Sequence, residues 1–163
     1  MYNYEHEEAG KLFNLLESKT PDYPAGAFLK AMNYFWQWFP YKQDDKLKEK
    51  MITSFQKATM LSEKEKYKNN IEVMFICFSS DAMLSKIFAS NKENWLAVKH
   101  ASASYSILKK GKLLVDKYPD FYFSTGLYNY YREKYPEIHP VMKPLIYFME
   151  KGDKEKGINQ LKL

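Results

Sequence analysis

Ala9, Phe13, Leu16 and Pro21 lie four, three and five residues apart, and this rhythm restricts the possible folds more than any other feature of the chain. A small residue, a ring, an aliphatic residue and then a proline describe a helix that packs closely on a partner and stops. A complementary fragment stands near the other end. Phe148, Gly152, Gly157 and Leu161 fall where the end of one helix, a turn and the next helix would lie. The chain therefore reads as stacked helical hairpins, each covering the apolar face its neighbour leaves open.

The intervening sequence fits that reading. Apolar residues recur with helical period over residues 3–18, with Asn3 or a neighbour able to cap the start. Thr20-Pro21-Asp22-Tyr23-Pro24 makes a turn, and Phe28, Leu29, Met32, Phe35, Trp36 and Phe39 predict a second helix from about 25 to 39. Asp44 or Asp45 opens a third, whose Met51, Phe55 and Ala58 repeat the spacing of the first. Residues 64–89 read as one long helix, apolar all round in its middle, and Asn91 as the cap of another over 92–117. Gly111 inside that helix costs about 1 kcal/mol relative to alanine, which predicts a closely packed neighbour. Residues 120–133 form a further helix, and Tyr135 to Pro140 a rigid connector. Pro144 opens a helix that ends at Lys151, and residues 154–163 close the chain. The count is eight helices and no strand: a single all-α domain.

Composition narrows function by exclusion. Of 163 residues, 17% are aromatic, with fourteen Tyr and eleven Phe, so the core is built largely from rings. The net charge of +5 rests on lysine, with Arg132 the one arginine, and acidic residues are interspersed throughout. Arginine forks for phosphate and guanine are thus missing, which argues against nucleic acid as a partner. Cys77 is the only cysteine and sits in the run Val73-Met74-Phe75-Ile76-Cys77-Phe78, where it reads as a small hydrophobe. No run of 18 apolar residues offers a membrane span. The first eight residues lack the basic and apolar regions of a secretion signal. Opening on half a repeat and closing within a helical pattern, these residues are expected to be a segment of a longer protein, in which case a targeting segment could lie outside them.

Ala9-x3-Phe13-x2-Leu16-x4-Pro21 resembles the second-helix half of the tetratricopeptide repeat (TPR), and Ala31-x2-Tyr34 falls where the first helix places its small residue and its ring. Phe148-x3-Gly152-x4-Gly157-x3-Leu161 resembles the turn between the helices, with Gly157 in place of the usual alanine. The stretch Pro119-Asp120-Phe121-Tyr122, then Gly126-Leu127-Tyr128-Asn129-Tyr130-Tyr131, Pro136 and Gly152-Asp153, is similar to bacterial TPR-like proteins. More distantly it is similar to the eukaryotic TPR family that includes the mitochondrial inclusion-clearance protein. Residues 64–118 match poorly, their helices being too long for 34-residue units. The resemblance implies a right-handed superhelix of antiparallel helix pairs whose first helices line a concave groove for a peptide or protein, without a cofactor. The lysine–asparagine clamp that some TPR domains use for a terminal carboxylate is not matched, since Tyr34 follows Lys30 by one turn.

No constellation announces catalysis. His6, within Glu5-His6-Glu7-Glu8, has neighbours on different helix faces, so one metal ion could not engage them together. His100 reads as a surface or satisfied core residue and His139 as part of the connector. No His-Glu-x-x-His pair, phosphate loop or nucleophile elbow occurs. The aromatic clusters Tyr34, Trp36, Trp38, Tyr41 and Tyr128, Tyr130, Tyr131 are the better candidates, because consecutive helical residues cannot all face inward. With their polar neighbours they nominate Asn33, Tyr34, Gln37, Trp38, Asn129, Tyr130 and Arg132 as a peptide-binding set. The expected function is a non-catalytic scaffold for a protein or peptide partner, with no metal or cofactor. Exposed half-repeats would favour self-association. The alternative is a helical protein with an apolar pocket for a lipid or other hydrophobic ligand, walled by the helix over 71–88.

Overall fold

The computed structural model describes residues 5–138, 147 and 149–162. Among these the chain is all-α: seven helices and two short 3-10 turns, with no strand. The helices are α1 (His6–Lys19), α2 (Ala25–Trp38), α3 (Asp45–Ser62), α4 (Ile71–Ser90), α5 (Asn94–Gly111), α6 (Pro119–Ile138) and α7 (Lys154–Leu161). They fall into two compact units, Met1–Ile107 and Leu108–Leu163.

In the first unit each helix lies antiparallel to the next. The start of α1 meets the far part of α2 through His6 and Asn33, while Glu17 near its end reaches Lys30. Ala27 of α2 shares a small cluster with Ala58 of α3 and Ile76 of α4. The main core gathers Phe35, Met51, Phe55, Leu84, Phe88 and Ala97 from α2 through α5. From α4 to α5 the contacts run in reverse register: Ser104 Oγ donates to the Phe78 carbonyl (3.2 Å), His100 pairs with Asp81, and Ser85 Oγ donates to the Ala97 carbonyl (2.9 Å).

Several boundaries differ from the sequence-based expectation. The expected helix over 64–89 is divided, with a 3-10 turn at Glu65–Tyr67 and α4 beginning only at Ile71. The cause is Asn70, whose side chain accepts from the Val73 amide (3.0 Å) and so caps a new helix. Asp44 caps α3 in the same way, accepting from the Leu47 amide (2.9 Å). Asn91 closes α4 rather than opening α5: its amide donates to the Ile87 carbonyl, and Lys92 turns the chain with φ 64°. The helix expected over 92–117 stops at Gly111 and tightens into a 3-10 turn at Lys112–Leu114. Conversely α6 continues through the expected connector as far as Ile138, since a proline near a helix end removes only one late amide from the ladder. Of the helix expected from Pro144 to Lys151, most lies outside the described residues, and residues 149–151 are not helical. Asn3, His139 and Phe148 also lie outside the described residues.

The predicted close neighbour of Gly111 is Phe121, fully buried in the second unit. A Cβ at Gly111 would overlap its ring. In that unit α6 and α7 run antiparallel, with Asn129 Nδ2 donating to Gln160 Oε1 (2.9 Å) between them. Asp153 caps α7 by accepting from the Lys156 amide (2.9 Å).

One carboxylate ties three helices of the first unit together. Glu17 on α1 receives Lys30 of α2 at 2.7 Å and Lys57 of α3 at 2.9 Å, with its own side chain 17% exposed. Burial acts to raise its pKa, but the hydrogen bonds from Lys30 and Lys57 outweigh burial and hold it below the ordinary 4.5. A carboxylate depressed in the folded state contributes stability above its unfolded pKa and loses it as pH falls through the folded one. Denaturant titrations at about pH 6 and about pH 3 should therefore show the gap between wild type and Glu17→Gln narrowing at the acid end. At neutral pH the gap should be about 1 kcal/mol, because Lys57 is solvent-screened. A gap independent of pH would remove the tie.

Candidate functional site

The two nominated clusters sit on different units, the first around the end of α2 and the second on α6. In the first, Asn33 is 2% exposed and fully engaged: its Oδ1 accepts from His6 Nδ1 (2.9 Å) and its Nδ2 donates to the His6 carbonyl (3.0 Å). It anchors the start of α1 and offers nothing outward. Gln37 donates back to the Asn33 carbonyl within its own helix (3.1 Å). Tyr34 and Trp38 pack against the main core, and the Trp38 indole N–H is buried without an acceptor among the described residues.

The outward rings are others. Trp36 is 46% exposed, Phe39 39% and Tyr41 79%. Phe35 is buried and makes ring contacts with Trp36 (5.3 Å) and Phe39 (5.2 Å), while Trp36 meets Phe39 edge-on at 6.3 Å. Two ammonium groups stand over this cluster. Lys42 Nζ lies 5.0 Å from the Phe39 ring, and Lys86 Nζ, contributed by α4, lies 5.9 Å from Phe39 and 6.0 Å from Phe35. Lys42 holds a left-handed backbone, φ 53°, which costs about 1 kcal/mol in a residue with a side chain. Sequence reasoning grouped Trp36 and Tyr41 in this aromatic cluster but did not single out Phe39 as a surface ring, nor either lysine. The phase of α2 holds part of the signal: Ala27, Ala31 and Phe35 mark the buried stripe, and Trp36 lies one residue past it. Lys86 lies 47 positions beyond Phe39, and only tertiary packing brings them together.

In the second cluster the polar residues serve the chain. Asn129 is buried on Gln160, Arg132 Nη2 donates to the Met149 carbonyl (3.2 Å), and the Tyr128 hydroxyl donates to the Glu150 carbonyl. Tyr130 and Tyr131 contact edge to face at 5.1 Å, with Tyr131 half exposed. Beside them in this unit a cleft of about 500 Å³ is lined by Val115, Pro119, Tyr122, Phe123 and Leu161, with Asp116 and Gln160 as its polar groups.

Titratable groups of the interior include the Asp81–His100 pair and Cys77. His100 Nδ1 donates to Asp81 Oδ1 at 2.7 Å, and its ring stacks on Phe88 at 5.5 Å. Burial pushes the Asp81 carboxyl up against the opposing pull of His100 and Lys99. His100 is thus a satisfied histidine that closes the joint between α4 and α5. Cys77 is buried, and burial, reinforced by the charges of Asp81 and Glu63, lifts its thiol to about 12. Little thiolate exists at neutral pH for it to act as a nucleophile. Among the described residues no helix is long and apolar enough to cross a membrane, and no three His, Cys, Asp or Glu residues group to hold a metal ion. No family model, curated protein or solved structure matches this chain.

Proposed function

We propose that this chain is a non-catalytic TPR-like helical scaffold that binds a peptide or protein through the aromatic surface at the end of α2. The observation that carries the proposal is the trio Trp36, Phe39 and Tyr41, open to solvent, of which Trp36 and Phe39 are backed by the buried Phe35 ring. Aromatic rings anchored from below and exposed above contribute large contact area at little entropic cost, which makes them frequent binding anchors. In the TPR reading α1 and α3 are second helices, while α2 and α4 are first helices. The surface shared by α2 and by Lys86 of α4 is then the one such scaffolds present to partners. Self-association belongs to the same proposal, through Leu12 and Leu15, exposed on α1.

Screening immobilised peptide arrays with the purified chain tests the proposal. Trp36→Ala is expected to weaken capture by about tenfold or more, whereas Trp95→Ala, on a still more exposed ring of α5 (78% open), should leave it unchanged. Equal capture by both variants would remove the surface from consideration. The second reading, a site for a small apolar ligand, is favoured by the cleft beside α6 and α7. Native mass spectrometry showing a co-purified ligand, lost on Phe123→Ser, would select it.

A further inference from the structure

We infer that the partner segment recognised at the end of α2 is acidic, with carboxylates on either side of an apolar side chain. The inference rests on the reading of that surface as a peptide site. Lys42 and Lys86 come from different elements and both stand over one exposed ring, Phe39. Among the described residues neither ammonium is paired with a carboxylate, whereas Asp22 takes Lys64 and Lys66, Glu17 takes Lys30 and Lys57, and Asp45 takes Lys48. Two uncompensated cations over an apolar floor complement a segment that seats a hydrophobic side chain on Phe39 and Trp36 and carries an anion for each ammonium group. In an extended peptide, side chains two positions apart share a face and the residue between them points the other way. Carboxylates two positions before and two positions after an apolar residue share its face and therefore suit the site.

A flat anionic bilayer fits less well. Asp44 and Asp45 follow directly in the chain and are exposed, with Asp44 committed to capping α3. They would repel a sheet of lipid phosphates, whereas a narrow peptide can pass beside them. The lysines act as point charges on flexible stems, so the gain is expected in charge selectivity rather than in a fixed bidentate geometry.

The test is fluorescence anisotropy with a dye-labelled dodecapeptide of three Asp-Ser-Leu-Ser repeats, which puts aspartate and leucine on one face when extended, its asparagine twin, and vesicles of mixed anionic phospholipid. The aspartate peptide is expected to bind about tenfold tighter than its twin. That preference should shrink with added salt and vanish in Lys42→Gln/Lys86→Gln, whose circular dichroism should match wild type. Equal binding of the two peptides, lost on Trp36→Ala, would overturn the acidic preference and leave the peptide site standing. Binding of vesicles but of neither peptide would overturn both in favour of a membrane surface. Binding of none of the three would overturn the site itself.

Discussion

Gly157→Ala is expected to destabilise the second unit by about 3 kcal/mol, while the same change at Gly10 stabilises the first by up to about 1 kcal/mol. Both glycines lie within helices, where alanine is intrinsically preferred. The difference is what the new methyl would meet. At Gly157 it would stand 2.6 Å from the Tyr130 amide nitrogen and 2.8 Å from the Gly126 carbonyl oxygen, both backbone atoms of α6. Backbone cannot rotate aside as a side chain can, so α7 must move off α6 and strain the buried Asn129–Gln160 bond. At Gly10 the nearest atom is the Asn33 amide at 3.6 Å, an ordinary van der Waals distance. Hydrogen exchange checks both. The α7 amides should open about a hundredfold faster in Gly157→Ala, and those of α1 more slowly in Gly10→Ala. An unchanged α7 would mean that the two helices do not approach as closely as 2.6 Å implies.

Phe55→Ala is expected to cost the first unit about 3–5 kcal/mol. Phe55 is fully buried at the centre of the main core, with the Phe28 ring 6.2 Å away edge-on and Met51 and Leu84 in the same cluster. Its removal leaves a cavity where α2, α3 and α4 converge, and neighbours held from three helices can collapse into it only partly. Met60, on the same helix but 60% exposed, provides the comparison: Met60→Ala should change stability by no more than about 0.5 kcal/mol. Denaturant midpoints of the two variants measure the difference. Comparable losses would mean that α3 is not the central helix of this unit.

The all-α class, most helices and the buried stripes of α2 and α3 were legible in the sequence, because a 3.6-residue period is a local property that any apolar face must carry. Ala31, Phe35, Met51, Phe55 and Ala58 all belong to the buried set, and Gly111 announced its close neighbour before Phe121 could be identified. Boundaries were less legible. Asn70 and Asn91 look alike as potential caps, yet one opens a helix and the other closes one. Backbone that could propagate either way is decided by what packs on either side.

The candidate site divides along the same line. Periodicity and ring content determined that aromatic residues must reach solvent near the end of α2, since too many are crowded there for one buried face. Which rings do so was a tertiary matter: the main core takes Tyr34 and Trp38, the start of α1 takes Asn33, and Trp36 and Phe39 are left outside. The charge above those rings comes partly from Lys86, on α4. Its position relative to Phe39 depends on how helices pack, and no local pattern along the chain encodes that distance.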